Sequence, residues 1–395
     1  MKFMKKKIIP YSRQKISNED IKGVNSVLRS DFLTTGPVGR RFENKLSKYV
    51  GAKYSVAVNS ATSGLHIACK AIGLGVGDYL WTSSNSFVAS SNCALYCGSK
   101  VDFIDIELDN YNIDIGLLEK KLIKAKKLNK LPKIIVPVLY AGNPHDMYKL
   151  KKLSKKFNFK IVEDASHALG AKYFGNKVGS CKYSDITVFS MHPVKMITTA
   201  EGGIATTNNK EYFKKMNLFR SHGITRNKKE FYKKKFNETH YEQHFLGFNY
   251  RLNDIQSSLG ISQLKKIKFF LKERRSIKNF YDKELINCPL ILPKEKKNIQ
   301  SSWHIYPVLI DKEKTNKKKD DLLKYLRKNN ILVNTHYIPI PSQPFYKKLG
   351  FKDRNYKKSI YFYEQEISLP IYVGLSKKNL TNIISKIYSF FKIKK

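Results

Sequence analysis

Short apolar runs alternate with helix-like segments between residues 55 and 207, and this regularity constrains the fold more than any other feature of the chain. Ser55-Val-Ala-Val-Asn59, Tyr79-Leu-Trp-Thr82, Lys100-Val-Asp-Phe-Ile-Asp105, Lys133-Ile-Ile-Val-Pro-Val-Leu139, Lys160-Ile-Val-Glu-Asp164 and Asp185-Ile-Thr-Val-Phe-Ser190 are short, apolar and strand-like. Helices are predicted between them: one entered at Ser60 to Thr62, one rich in small residues up to Cys97, one around Leu117 to Ile123, and one from His145 to Phe157. This order predicts an α/β fold with a mostly parallel central sheet and helices on both faces, because each parallel connection must cross a face of the sheet. Ligands of such sheets gather beyond the carboxyl ends of the strands. Asn59, Phe87, Asp164 and Ser190 fall at or just past such ends.

Before this region, Ser17-Asn-Glu-Asp20 suits the start of a helix through Ile21, Val24 and Leu28, and a second helix carries Phe42, Leu46 and Tyr49. Gly73-Leu-Gly-Val-Gly77 follows a helix instead of a strand, so it reads as a turn and not as a dinucleotide fingerprint. After it, Gly202 to Thr207 is another β-prone run, Glu211 to Phe219 a helix, and a polar, basic stretch to about residue 240 a mobile surface excursion. Gly247 to Asp254 precedes a helix with Ile255, Leu259 and Leu264, and Lys265 to Tyr281 is expected to continue as a long charged helix. The domain change is placed near residue 260, giving a large domain over 1–260 with an N-terminal arm. Residues 261–395 are expected to form a smaller α+β domain with strands at Ile305 to Ile310 and Ile331 to Val333 and helices around Leu322 and Ile383.

Lys195 lies on the loop between the last two strand-like runs, in Ser190-Met-His-Pro-Val-Lys-Met-Ile-Thr-Thr-Ala-Glu-Gly-Gly203. Its neighbours are apolar, small or hydroxylated, which predicts a partly desolvated amine. Desolvation lowers a lysine pKa and makes the free amine nucleophilic, so imine formation with a carbonyl cofactor is the chemistry expected. Asp164, at another strand end, can hold a pyridine nitrogen protonated, and that division of labour points to pyridoxal 5′-phosphate (PLP). The small residues at Ser60 to Thr62, where a strand runs into a helix start, suit a phosphate.

The formal net charge of +42 raises the alternative of a non-catalytic, basic nucleic-acid-binding protein. The lysines, however, run from Lys5-Lys7 to Lys394-Lys395 without a focus, and arginine is scarce, which favours a solvated surface over a base-reading one. Such a field still draws in anions. Five cysteines without a C-x-x-C fit reduced thiols in a cytoplasmic protein, and no metal site is expected. Met1 to Pro10 is basic without an apolar signal core, and no apolar run approaches the ~18 residues of a membrane span.

Four motifs resemble the DegT/DnrJ/EryC1 family of sugar-nucleotide aminotransferases over nearly the whole chain: Asn59-Ser-Ala-Thr-Ser-Gly-Leu65, Glu163-Asp-Ala-Ser-His-Ala-Leu-Gly170, the Lys195 segment, and Gly247-Phe-Asn-Tyr-Arg-Leu-Asn-Asp-Ile-Gln256. The resemblance implies the type I PLP-dependent aminotransferase fold and a homodimer with shared active sites. It implies that Lys195 carries the cofactor as an imine, that Ala61, Thr62 and Ser190 contact its phosphate, and that Phe87 stacks on its ring. Asp164 would pair with the ring nitrogen, His167 would approach the ring hydroxyl, and Asn249 would come from the partner subunit. Ala61, Ser190 and Asn249, with Tyr11, Asp31, Phe32, Leu33, Thr34, His336, Tyr337, Ile338 and Pro339, match positions that line the sugar-nucleotide site.

The form of the Lys195 segment, with Asp31 to Thr34 and Thr335 to Pro339, is most similar to the pseudaminic-acid-pathway subgroup. That subgroup implies transfer of an amino group from glutamate to C4 of a UDP-linked 4-keto-6-deoxy-N-acetylhexosamine, UDP-2-acetamido-2,6-dideoxy-β-L-arabino-hex-4-ulose. A transaminase acting at C3 or on a dTDP-linked sugar is the alternative within the family. Family members that dehydrate sugars carry histidine at the position of Lys195, so the lysine implies transamination. Met191 and Met196 depart from the aromatic and proline residues common in relatives.

Overall fold

The computed structural model describes residues 8–393, so Lys5-Lys7, Lys394-Lys395 and most of the segment Met1 to Pro10 lie outside the described residues. Seven strands form the central sheet: β1 (Tyr54–Val58), β2 (Tyr79–Ser83), β3 (Lys100–Ile104), β4 (Ile134–Val136), β5 (Lys160–Asp164), β6 (Ile186–Ser190) and β7 (Gly203–Thr207). Their order is β1-β7-β6-β5-β4-β2-β3. Every pairing that excludes β7 is parallel, whereas β7 runs antiparallel to both neighbours, with Gly203 opposite Ser190 and Val58. The carboxyl ends of the other six strands therefore share one edge, and the loop that leaves β6 returns to β7 at that same edge.

Residue alternation within the strands sorts the core into two faces. Val56, Leu80, Ile134, Val136, Val162 and Val188 belong to one cluster, which α3 (Ala61–Ile72), α4 (Ala89–Tyr96) and α7 (Lys210–Arg220) cover. Their neighbours Ile135 and Ile161 meet α5 (Ile115–Lys127) and α6 (Met147–Phe157) on the other face. Further along that face, Ala57, Phe189 and Ile204 meet Phe42 and Leu46 of α2 (Pro37–Val50) and Leu264 of α8 (Asp254–Lys265). Before α2, α1 (Asn18–Leu28) has Ser17 as its N-cap, and Asp20 Oδ2 accepts from the Ser17 N–H at 2.8 Å.

A second cluster lies C-terminal to this sheet. An antiparallel sheet of β8 (Leu290–Ile291), β9 (Tyr306–Ile310) and β10 (Glu366–Leu369) packs with parts of α9 (Ile267–Leu285), α10 (Lys319–Lys328) and α13 (Lys377–Phe391), the last preceded by α11 (Pro344–Lys348) and α12 (Lys357–Gln365). Ile9 joins this cluster through a bridge to Ile331. Arg274 of α9 is 2% exposed, and its Nη1 donates to the carbonyls of Trp303, His304 and Ile371 at 2.9–3.2 Å, fixing the approach to β9.

Three expected elements differ. The helix expected to run unbroken through Lys265 divides at Lys266, whose ammonium donates to Asp20 at 2.5 Å and to Ser17 Oγ at 2.7 Å, tying the break to the start of α1. Lys133 to Leu139 is interrupted at Pro137, which has no N–H to give the ladder: Ile134–Val136 forms β4, and pairing with β5 resumes in a bridge from Val138 to Asp164. Ile331 to Val333 forms an isolated bridge instead of a strand.

Gly203 is where fold and loop are joined most tightly. A Cβ there would stand 2.5 Å from the Ala61 nitrogen and 2.6 Å from the Ser60 carbonyl carbon, so β7 can begin against α3 only without a side chain. Gly203→Ala is expected to cost about 1–3 kcal/mol through forced backbone displacement. Urea unfolding would show a lowered midpoint at unchanged slope, and an unshifted midpoint would contradict the close approach.

Candidate active site

At the carboxyl edge of the central sheet lies a cavity of about 470 Å³. β5 and β6 are neighbours, with Asp164 paired to Val188, so Asp164 and the loop after Ser190 leave the sheet side by side. That loop is held by its own hydrogen bonds: Met191 N–H to the Gly202 carbonyl (2.9 Å), Thr199 N–H to the Met191 carbonyl (3.0 Å), and Lys195 N–H to the His192 carbonyl (2.9 Å). Ser12 from the N-terminal arm adds a hydroxyl bond to the Val194 carbonyl. Lys195 thus comes from a rigid turn, and its side chain lines the cavity with that of Asp164.

Burial pushes the Lys195 amine down to about 8, and the nearby Asp164 charge opposes the shift. Asp164 is 4% exposed and has donors on both oxygens, as a buried carboxylate requires. Ser90 Oγ donates to Oδ2 at 2.6 Å, while the Ser166 N–H and hydroxyl donate to Oδ1 at 3.1 and 2.6 Å. Ser86 lies 2.7 Å from Ser90 and extends the chain of hydroxyls. This network fixes the carboxylate's direction.

The start of α3 forms another wall. Ser60 caps it by accepting from the Ser63 N–H at 3.1 Å, and Ala61 and Thr62, in the first turn, line the cavity. First-turn N–H groups lack intrahelical acceptors, so this wall is suited to an anion. Opposite, His167 Nε2 lies 3.0 Å from the Tyr337 hydroxyl, and the His167 ring is 4.4 Å from that of His304. Burial, with Lys195 and His336 nearby, pushes the His167 pKa well below its ordinary value, so this histidine is neutral.

Among the sequence-predicted residues, Tyr11, Ala61, Thr62, Phe87, Asp164, His167, Ser190, Lys195, His336 and Tyr337 all line this one cavity. The others lie elsewhere. Phe32 and Leu33 are exposed, Asp31 and Phe32 border a separate cleft with Asp254, and Thr34 is also at the surface. Asn249 is exposed and bridges Ser221; Ile338 is exposed, and Pro339 is buried outside the cavity lining. The sequence reading missed Ser90 and Ser166, whose serine-rich surroundings offered only a weak signal, and His304, which had none.

Residues 14–388 match the DegT/DnrJ/EryC1/StrS aminotransferase family. The chain belongs to that family. A UDP-4-amino-4,6-dideoxy-N-acetyl-beta-L-altrosamine transaminase from Campylobacter jejuni (strain 81-176) is 40% identical over 390 residues, spanning 98% of this chain and 99% of the relative. Among solved structures, Helicobacter pylori PseC, an aminotransferase involved in the biosynthesis of pseudoaminic acid, superposes with a TM-score of 0.89 at 35% identity, over 98% of this chain and all of that one. The PLP form of the putative sugar aminotransferase Spr1654 from Streptococcus pneumoniae gives 0.87 at 29% identity, covering 98% and 99%. This member of the DegT/DnrJ/EryC1/StrS family keeps Met191 and Met196 buried in the core beneath the loop, where they pack with Phe189 and Ile197.

The balance at Lys195 is measurable in the protein without cofactor. Acylation of Lys195, followed by peptide mass spectrometry against pH, should show a midpoint near 8. Asp164→Asn removes the opposing charge and should move that midpoint lower still. A midpoint in the range of an ordinary lysine would contradict the desolvated placement.

Proposed function

We propose that this aminotransferase is a cytoplasmic, PLP-dependent enzyme that moves an amino group from glutamate to C4 of UDP-2-acetamido-2,6-dideoxy-β-L-arabino-hex-4-ulose, in pseudaminic acid biosynthesis. The observation that carries the proposal is the meeting of a desolvated lysine, a serine-clamped aspartate and the first turn of a helix in one cavity. These residues fit PLP: one amine, one carboxylate and one anion site, each with the chemistry that a different part of the cofactor requires. When bound, PLP supplies a carbonyl carbon for imine formation and a ring that accepts the electron pair of a breaking C–H bond.

The chain's own residues do the rest. With a pKa near 8, about one Lys195 amine in ten is unprotonated at pH 7, against well under one in a thousand for an ordinary lysine. That free base can attack a carbonyl, and at Nζ it could later take a proton from the donor carbon and deliver it to the cofactor carbon. Asp164 would hold a positive charge at the ring nitrogen, its direction fixed by the hydroxyls of Ser90 and Ser166. Ala61, Thr62 and Ser190 would hold the phosphate, Phe87 would cover the ring, and His167, paired with Tyr337, would approach the ring hydroxyl. In this reading the large domain (1–260) carries the cofactor and the small one (261–395) supplies His336 and Tyr337.

Asp31 to Thr34 and Asn249 are exposed and lie outside their own chain's cavity, which supports a homodimer whose partner copy completes each site. Phe32, Leu33 and Leu246 are exposed apolar side chains on these segments, in keeping with a covered surface.

Incubation with the UDP-linked 4-keto sugar and glutamate, with the new amine located by NMR, tests the proposal. A C4 amine is expected, and Lys195→Ala should lower turnover by at least ~10³-fold. An amine at C3, reaction confined to dTDP-linked sugars, or full turnover in the variant would each contradict it.

A further inference from the structure

Glu366, Ser368 and His336 form a hydrogen-bonded chain that ends in the cavity and takes no part in the chemistry of Lys195 and Asp164. Glu366 and Ser368 are two residues apart on β10, so their side chains leave the same face of the strand. The segment carrying His336 lies antiparallel beside it through the Asn334–Ser368 bridge. The His336 N–H donates to Glu366 Oε2 at 2.8 Å, and its carbonyl accepts from the Tyr140 hydroxyl at 2.7 Å. Its ring Nδ1 lies 2.8 Å from Ser368 Oγ, which lies 2.5 Å from Glu366 Oε1. All three side chains are buried, and His336 lines the cavity, where Nε2 is the ring nitrogen left for a ligand.

A serine hydroxyl has one proton to give, so the chain has two consistent states. When Glu366 is ionised, Ser368 donates to the carboxylate and accepts from Nδ1–H, leaving Nε2 bare. When a proton enters at Nε2, the Nδ1 proton passes to Ser368, the Ser368 proton passes to Glu366, and Nε2–H becomes a donor. One proton is gained, and the imidazole is neutral in both states. We propose that Glu366 is a positioning residue: through Ser368 it sets the tautomer of His336 and so decides whether that ring offers the cavity a donor or an acceptor. The donor state suits an oxygen of the sugar nucleotide, a clause that rests on the function proposed above.

Burial pushes the Glu366 carboxyl up to about 8, opposed by Ser368, the His336 N–H and Lys319. The groups facing it are Lys319 of α10, held by the Tyr363 carbonyl, Tyr111 and Tyr140 from the loops after β3 and β4, and Tyr337 beside His336, with Glu364 acting on Lys319. Burial raises the pKa of each of these three tyrosines, keeping them neutral, and burial with the Lys195 charge facing it from the cavity lowers His336 to about 3. The donor state therefore prevails below about pH 8 and the acceptor state above it.

The test is NMR of the PLP-loaded protein with ¹⁵N in its nine histidine rings, His336 being assigned by loss of its signals in His336→Gln. The wild type should show the His336 proton move from Nε2 to Nδ1 in one step near pH 8, with kcat/KM about tenfold lower above the step, the worth of one hydrogen bond. Glu366→Gln, whose amide donates permanently to Ser368, should hold Nε2–H throughout and flatten that limb. Ser368→Ala should abolish the step, and it carries the test alone if Glu366→Gln does not fold. No step in the wild type, an equal step in Ser368→Ala, or a step with no matching limb in kcat/KM would overturn the proposal. Failure of the sugar-nucleotide reading would appear separately, as absent turnover with the NMR step intact.

Discussion

A lysine amine kept out of water loses hydration that it would otherwise use to hold its proton, and only a nearby negative charge returns part of that loss. In this molecule the charge is Asp164, and the structure around the cavity serves to place those two groups together. Asp164 ends one strand, and the loop that carries Lys195 leaves the adjacent parallel strand, so the sheet delivers both to one edge. The reversed strand β7 brings the lysine loop back to the edge it left, and Gly203 lets that strand start against the helix whose first turn forms the anion wall. A sheet with seven parallel strands would have carried the chain away to the opposite edge after Ser190.

The electrostatics of the cavity differ from those of the chain. The protein carries a formal charge of +42, yet His167, His304 and His336 beside Lys195 are all held neutral by burial and by one another's proximity to the lysine. A cavity of four cations would have driven the amine far below a useful range, whereas neutral imidazoles next to one carboxylate leave it near 8. The positive field outside acts at longer range and favours the approach of an anionic nucleotide.

Much of this was legible in the sequence because short, continuous apolar runs and the turns between them report where buried strands begin and end. The alternation placed Asp164, Ser190 and the Lys195 loop at strand ends, and the structure has them there. The direction of β7 was not legible, since an apolar run marks a buried strand without marking which way it crosses the sheet. The break at Lys266 depends on a contact with Ser17 and Asp20, far away in sequence. Ser90 and Ser166, which aim the aspartate, and Glu366, which reaches His336 through Ser368, likewise act across long separations and leave no periodic trace. Asn249 and Asp31 to Thr34 stand out as motif residues, but one chain does not bring them to its own cavity.

The central claim is that one lysine, in a chain crowded with them, is set apart by its surroundings. Borohydride reduction of the protein after incubation with PLP, followed by peptide mapping, tests this most directly. The account predicts a single stoichiometric pyridoxyl label, on Lys195. A label on another lysine, or one spread over the surface lysines, would contradict it.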